Sequence, residues 1–224
     1  MHALGKFIIV CGHYGCGKTN FSLNLAFDLA NKGEKVTLID LDIVNPYFRS
    51  SDYASLLEEK GIRLIAPVFA HSNVDIPSLP TEIYSVFARN EGTVIFDVGG
   101  DDAGATALGR FSGHIRKLPE YQMLYLINKY RILTTRPAET AALLREIEAA
   151  SRLKATAVVN NSHLQGLTTA EDILNALPYA EETARDLSLP LWMTTAPRAL
   201  EHELSEQVKN LYPIEIYVKP PWAD

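Results

Sequence analysis

Short apolar runs alternate with longer segments of helical periodicity along most of this 224-residue chain. The runs are four or five residues long, and Gly, Pro, Asp or Asn often follows them, as is typical of strands buried on both faces. They predict strands at residues 7–11, 36–40, 63–66, 94–97, 123–127, 155–159 and 191–194, with 214–218 as a further edge strand. Strands that alternate with helices predict an α/β fold with a mostly parallel sheet of seven or eight strands and helices on both faces.

The segments between these runs predict five helices, at residues 18–32, 51–60, 81–89, 138–151 and 169–187. The first has the clearest periodicity, because Phe21, Leu25 and Leu29 recur every four residues and Gly33 can close its end. We interpret such apolar stripes as core-facing. The polar, proline-containing segment 71–80 is either a plain connection or a lip over a site.

Composition and charge narrow the class of protein. Apolar residues make up 47% of the chain without a compositional shift, so residues 1–224 are expected to form a single domain. The net charge of −6, without a run of basic residues, argues against direct nucleic-acid binding. No leader or apolar stretch of membrane-spanning length is evident, so we expect a cytoplasmic protein without a membrane anchor. Cys11 and Cys16 have no partners at zinc or disulfide spacing and are interpreted as structural residues.

The residues from Gly12 to Thr19 match the phosphate-loop pattern GxxxxGK[ST]. A predicted strand precedes the loop and a predicted helix follows it, an arrangement that directs backbone N–H groups and the positive helix end toward an anion. Lys18 is expected to reach the outer phosphates of a nucleotide, and the Thr19 hydroxyl to complete a Mg²⁺ shell. The predicted nucleotide-binding residues of this loop are Gly12, His13, Tyr14, Gly15, Cys16, Gly17, Lys18, Thr19 and Asn20.

Three aspartates follow or end predicted strands. Asp40 and Asp42 close the second strand, and Asp97 closes the fourth, shortly before Gly100. Ligands of parallel sheets bind outside the carboxyl ends of the strands, so we expect these residues beside the phosphate loop. Asp97 suits the acceptor of a Mg²⁺-bound water, and Gly100 suits a backbone N–H that contacts a terminal phosphate.

Three blocks of this sequence resemble a known group of proteins. "GHYGCGKT", "IDLDIVNPYFRS" and "FDVGGDDAGATALGR" are similar to those of the deviant-Walker-A P-loop ATPases related to MinD and ParA, with CobQ/CobB-type nucleotide-binding domains as cousins. The resemblance covers most of the chain and is closest to a bacterial branch of that superfamily. It implies a P-loop NTPase fold, ATP and Mg²⁺ as cofactors, and a nucleotide-linked homodimer.

The resemblance also implies roles for single residues. Asp42 would position the attacking water and, with Thr19 and Asp97, belong to the metal site. Asn160, at the end of "TAVVNN", matches the family's base-contacting asparagine, and Asn128, at the end of a neighbouring strand, is the alternative.

The chain departs from the family pattern in the phosphate loop. His13 occupies the position of the signature lysine that reaches a partner's phosphates, and Tyr14 replaces a glycine. Histidine carries its charge only part of the time near neutral pH, so we expect His13 to make turnover slow and pH-sensitive. The Tyr14 ring is expected either to shield the loop or to pack against a partner.

Three functions are compatible with these residues. The first is a slow Mg-dependent ATPase that acts as a nucleotide switch for an unknown protein partner. The second is an ATP-dependent phosphotransferase or ligase, in which Arg49 or Arg110 holds a small acidic substrate. The third is a nucleotide sensor that does not hydrolyse. Residues 97–100 fit the DxxG pattern of GTPases, but the nearest match to NKxD is "NKYR" at 128–131, which favours ATP over GTP.

Overall fold

One parallel sheet organises the residues that the structure describes. The computed structural model describes residues 4–42, 49–67, 80–88 and 92–218. Its strands are β1 (Phe7–Gly12), β2 (Val36–Leu41), β3 (Arg63–Ile65), β4 (Thr93–Val98), β5 (Gln122–Ile127), β6 (Ala157–Asn160), β7 (Leu191–Pro197) and β8 (Leu211–Ile214). Their order is β3-β2-β4-β1-β5-β6-β7-β8, and every neighbouring pair is parallel. The predicted α/β fold is confirmed, with β1 at the centre of the sheet.

Eight α-helices occur within the described ranges. They are α1 (Lys18–Asn31), α2 (Ala54–Glu59), α3 (Ser85–Ala88), α4 (Asp102–Gly109), α5 (Ser112–Ile115), α6 (Pro137–Ser151), α7 (Ala170–Asp186) and α8 (Glu201–Leu204). Short 3₁₀ helices lie at Ser50–Tyr53, Thr81–Tyr84, Gln165–Leu167 and Arg198–Leu200. None of the helices in the described ranges has the length and apolarity that a membrane span requires.

The core lies on both faces of the sheet. Successive side chains of a strand point to opposite faces, and β1 supplies both clusters. Ile8 packs in the cluster that contains Phe21 of α1, whereas Ile9 packs in the cluster that contains Leu144 of α6. Helices therefore cover both faces, as predicted.

The end of the chain differs from the sequence-based prediction. The seven internal strands are confirmed with shifts of at most three residues at their ends, but the last strand is Leu211–Ile214 rather than 214–218. Residues 215–218, which we call the C-terminal strap, bind α1 instead of the sheet. Asn20 accepts hydrogen bonds from the backbone N–H groups of Tyr217 and Val218, and Asn24 exchanges two with the backbone of Glu215.

The helices α4, α5 and α8 were not predicted. Asp101 caps α4 by accepting a hydrogen bond from the Gly104 backbone N–H at 2.8 Å. The glycines in and around α4 concealed it, because glycine is a poor helix former and this packed segment overrides that preference. All but the last residue of the predicted lip at 71–80, as well as residues 43–48, lie outside the described ranges.

Candidate functional site

A cavity of about 340 Å³ opens beside the loop that joins β1 to α1. It lies at the carboxyl ends of the strands, where parallel sheets bind ligands. Its lining comprises residues 14–20 and Asp42, Asn128, Arg131, His163, Gln165, Ile216 and Val218. Most of the predicted phosphate-loop residues and Asp42 therefore surround one space.

The loop adopts a conformation that depends on glycine and on contacts from β6. Gly17 precedes α1 with φ of 90°, in the left-handed region, and a Cβ there would overlap the Asn161 amide nitrogen. That nitrogen donates to the Cys16 carbonyl at 2.7 Å. The other end of the Asn161 amide accepts a hydrogen bond from the Thr195 hydroxyl. The ends of β6 and β7 thus fix the position of the loop.

Lys18 and Gly100 lie against one another at the loop. The Lys18 side chain is 7% exposed, and its Nζ donates to the His13 carbonyl at 3.1 Å. A Cβ on Gly100 would lie 2.6 Å from the Tyr14 Cα and 2.8 Å from Lys18 Nζ. Residue 100 can therefore approach the loop this closely only as glycine, which places its backbone beside the lysine.

Asp97 is a buried carboxylate at the end of β4. It accepts hydrogen bonds from the hydroxyls of Ser50 at 2.6 Å and Ser22 at 3.4 Å, and also from the hydroxyl of Thr19. Burial raises the pKa of Asp97, and the bonds to Ser50 and Thr19 and the charge of Lys18 oppose that rise. Asp97 thus joins the first turn of α1 to residue 50, which follows β2 in the chain.

Asp40 is the neighbour of Asp97 in the sheet. The two residues are register partners on β2 and β4, and Asp40 is fully buried. Its carboxylate accepts from the backbone N–H groups of Asp42 at 2.9 Å and Ser51 at 3.1 Å. Burial and the charge of Asp97 raise the pKa of Asp40 to about 7. A second carboxylate is therefore bonded to the segment that follows β2.

The two departures from the family pattern lie on the open side of the loop. His13 is partly buried, and burial together with the charge of Lys18 lowers its pKa. Its imidazole is therefore mainly neutral at pH 7. Tyr14 is 54% exposed and lines the cavity, so most of its ring faces solvent rather than the core.

The two candidate asparagines lie in different surroundings. Asn160 is fully buried, hydrogen-bonds Ser162 and Thr194, and does not line the cavity. Asn128 lines the cavity, but its amide is already bonded to the His163 carbonyl and to the Tyr130 backbone N–H.

Several cavity residues escaped the sequence-based prediction. Arg131 lies over the phosphate loop, since its guanidinium carbon would be 3.4 Å from a Cβ on Gly15. The strap brings in Ile216 and Val218 from the end of the chain. Their distance in sequence hides these contacts, although one signal was present: two buried asparagines four residues apart on an otherwise apolar helix face, at Asn20 and Asn24.

The arrangement suits the binding of an anion and of an oxygen-liganded cation. Backbone N–H groups at the start of α1 and the Lys18 amine can hold phosphates. The Thr19 hydroxyl and the carboxylates of Asp42 and Asp97 are the oxygen ligands that Mg²⁺ prefers. Within the described ranges, no three His, Cys, Asp or Glu side chains form a group that could hold a metal ion.

Comparison with solved structures shows which proteins share this fold. Cell division protein FtsY from Thermotoga maritima is 20% identical with a TM-score of 0.57, and the alignment covers 87% of this chain and 63% of that one. The signal recognition particle 54 kDa protein from Aeropyrum pernix, solved in complex with GDP, is 15% identical with a TM-score of 0.56, over 87% and 42%. Chloroplast FtsY from Physcomitrella patens is 17% identical with a TM-score of 0.56, over 87% and 59%. This chain thus spans less than two thirds of each of these proteins, and the likeness shows the fold alone.

Comparison of sequences shows the family. No curated protein matches the chain. The CbiA family, described as the CobQ/CobB/MinD/ParA nucleotide binding domain, matches residues 7–187, which is well over half of the chain. That range contains the phosphate loop, the three aspartates and the end of β6. The chain belongs to the CobQ/CobB/MinD/ParA nucleotide-binding domain family.

Proposed function

We propose that this protein binds ATP with Mg²⁺, hydrolyses ATP slowly in the cytosol and acts as a nucleotide switch for a protein partner. The observation that carries the proposal is the hydrogen bond from Ser50 to Asp97. Asp97 also accepts from Thr19, the predicted magnesium ligand. One carboxylate therefore connects the expected metal site to the segment that a partner would recognise.

The phosphates would be held by the backbone N–H groups of residues 14–19 and by Lys18. The Lys18 amine now donates to the His13 carbonyl, and a phosphate oxygen, being charged, is the stronger acceptor. Bound Mg²⁺ would neutralise charge on the outer phosphates. Thr19 would supply a hydroxyl ligand, and Asp97 would accept a hydrogen bond from a metal-bound water.

The same event would release or shift the segment after β2. Ser50 competes for the Asp97 carboxylate that a metal-bound water would use, and Ser51 holds the neighbouring Asp40. Asp42, at the cavity, would orient the attacking water. Hydrolysis would restore the Ser50 bond, so that residues 50–53 report which nucleotide is bound.

His13 in place of the family lysine supports a low rate. Its neutral imidazole supplies no fixed positive charge to a phosphate. We propose that the protein dimerises around its nucleotide but gains little acceleration from His13. The transferase alternative receives less support, because Arg49 is 7% exposed and neither Arg49 nor Arg110 lines the cavity.

The test is Mg-dependent phosphate release from ATP and from GTP with no other substrate. Lys18→Ala is the control for contaminating activity, since it removes the amine expected at the phosphates. ATP turnover that disappears in Lys18→Ala would support an intrinsic ATPase. Turnover that is equal in both proteins, or that appears only with a small acidic acceptor, would reject the autonomous switch in favour of a sensor or a transferase.

A further inference from the structure

His163 places an unused hydrogen-bonding atom beside the cavity. It lies three residues beyond the end of β6, its ring lines the cavity, and the residue is 7% exposed. Its Nε2 atom is buried and has no hydrogen-bond partner among the described residues. Buried polar atoms are nearly always paired, so an orphaned one at a cavity points to a ligand.

The local hydrogen bonds determine what this atom offers. Nδ1 of His163 accepts from the Gln165 backbone N–H at 3.1 Å, so Nδ1 carries no hydrogen. Burial and the charge of Arg131 lower the pKa of His163 to about 4, which keeps the ring neutral at pH 7. A neutral imidazole has one N–H group, which is therefore on Nε2. The unused atom is a donor.

We infer that His163 donates this hydrogen bond to a ring nitrogen of the nucleotide's base and thereby selects adenine over guanine. The inference rests on the proposed function, in which the cavity holds a nucleotide. It assigns the base-reading role to His163 rather than to either asparagine considered from the sequence.

The position of His163 suits a base better than a phosphate. The loop after β6 adjoins the phosphate loop through Asn161, whereas the phosphate-binding N–H groups lie at the start of α1. On the same cavity, Ile216 and Val218 of the strap present apolar side chains, as a flat aromatic base requires. The base would therefore lie between the strap and the loop after β6.

The chemistry of the cavity favours adenine. Adenine carries an unprotonated ring nitrogen on its pairing edge, which accepts a hydrogen bond, whereas guanine carries N–H donors there and needs an acceptor. Of the described residues around the cavity, Asp42 is the only carboxylate, and β2 places it on the other side of β1 from β6. The Asn128 amide oxygen is occupied by Tyr130. A donor at position 163 thus matches adenine and opposes guanine.

The experiment is a double-mutant cycle between protein and ligand, measured by calorimetry. The ligands are ATP, GTP, inorganic tripolyphosphate, and three ATP analogues in which N1, N3 or N7 is replaced by C–H. The proteins are the native chain, His163→Phe, which removes the donor, and His163→Gln, whose amide N–H can reach a similar position. Thermal unfolding of each variant accompanies the titrations.

We expect His163→Phe to weaken ATP binding about tenfold, the usual magnitude for one neutral hydrogen bond, and to leave tripolyphosphate binding unchanged. One analogue should bind the native protein about tenfold more weakly than ATP, and this difference should vanish in His163→Phe. His163→Gln should recover most of the lost affinity. The native protein should bind GTP more weakly than ATP.

Other results would overturn the inference. If all three analogues bind the native protein as tightly as ATP, no ring nitrogen accepts a hydrogen bond. If ATP and GTP bind equally in a Lys18-dependent manner, the nucleotide site stands and the selection by His163 does not. If ATP binds the native and Lys18→Ala proteins equally weakly, the proposed function itself fails. Should His163→Phe not fold, the analogue series on the native and His163→Gln proteins decides alone.

Discussion

The bond between Ser50 and Asp97 is the smallest unit of the proposed switch. The Ser50 hydroxyl donates at 2.6 Å to a carboxylate that also accepts from Thr19, and both Ser50 and Asp97 are buried. Two donors on one carboxylate compete when a third, better-placed donor arrives. A single hydroxyl thus links the metal site to residues 50–53.

Replacing Ser50 by Ala should separate nucleotide binding from the response of the following segment. In the native protein, we expect Mg-ATP to change hydrogen exchange at residues 50–53. In Ser50→Ala, ATP should still bind while that change is largely lost. Ser205→Ala, at an exposed serine after α8, is the matched control. An undiminished exchange response in Ser50→Ala would refute the link.

Gly100 sets how closely the loop after β4 approaches the lysine. A Cβ at this position would meet the Tyr14 backbone at 2.6 Å, closer than real Cβ contacts, so the loop must move away. We expect Gly100→Ala to reduce ATP turnover at least tenfold by displacing the Lys18 amine. Gly113→Ala is the control, since nothing lies within 4 Å of a Cβ there. Equal turnover in the two variants would show that the approach at Gly100 is unimportant.

The charge of His13 should appear in the pH dependence of turnover. Burial and Lys18 lower its pKa below 6.5, so its charged fraction grows as the pH falls and most of that growth lies below pH 6.5. If the cation assists hydrolysis, native turnover should rise from pH 8 to pH 6. In His13→Lys, turnover should be higher and nearly independent of pH. Flat and equal profiles for both proteins would eliminate this role.

At the scale of elements, the strap is held to α1 by side chains that a strand would not need. Asn24 accepts from the Glu215 N–H at 2.8 Å and donates to the Glu215 carbonyl at 2.9 Å. The strap also receives a hydrogen bond from the Tyr53 hydroxyl to the Tyr217 carbonyl, and Tyr217 meets Phe27 edge to face. The strap therefore contacts α1, the segment after β2 and the cavity at once.

Detaching the strap should weaken nucleotide binding without touching the phosphate loop. Asn24→Ala leaves the backbone polar groups of Glu215 unpaired, which we expect to cost about 1–3 kcal/mol of unfolding free energy. ATP affinity should fall because Ile216 and Val218 leave the cavity, whereas tripolyphosphate affinity should not. Asn31→Ala, at the exposed end of the same helix, is the control, and urea unfolding and calorimetry are the measurements. Unchanged ATP affinity would mean that the strap is no wall of the site.

The sequence predicts those parts of the site that local chemistry determines. The phosphate loop is recognisable because its glycines, lysine and threonine are consecutive, and Asp42 and Asp97 because each follows a buried apolar run. His163 and the strap are not recognisable, since their roles depend on contacts across the sheet. The sequence proposed Asn160 and Asn128 for the base, and only the packing of β6 shows that Asn160 faces away from the cavity.

At the scale of the whole molecule, two buried groups oppose one another in the pH dependence of stability. Folding raises the pKa of Asp40 from 3.8 to about 7, so the folded protein binds the extra proton between these values and stability falls as the pH rises. Folding lowers the pKa of His163 from 6.5 to about 4, so the unfolded chain binds the extra proton and stability rises with pH. The two windows overlap almost fully, and the native profile between pH 4 and 7 should therefore be shallow in these terms.

Substitution of Asp40 should expose the contribution of His163. Removing the Asp40 carboxylate eliminates a loss of stability on the order of 4 kcal/mol across pH 4 to 7, while the His163 gain, on the order of 3 kcal/mol, remains. The unfolding free energy of Asp40→Asn should thus increase with pH more steeply than that of the native protein, whatever its absolute value. Urea unfolding at several pH values measures both slopes. Parallel profiles would mean that Asp40 titrates alike in the folded and unfolded chains, and the pair of carboxylates below the phosphate loop would then already be ionised at pH 5, before any cation binds.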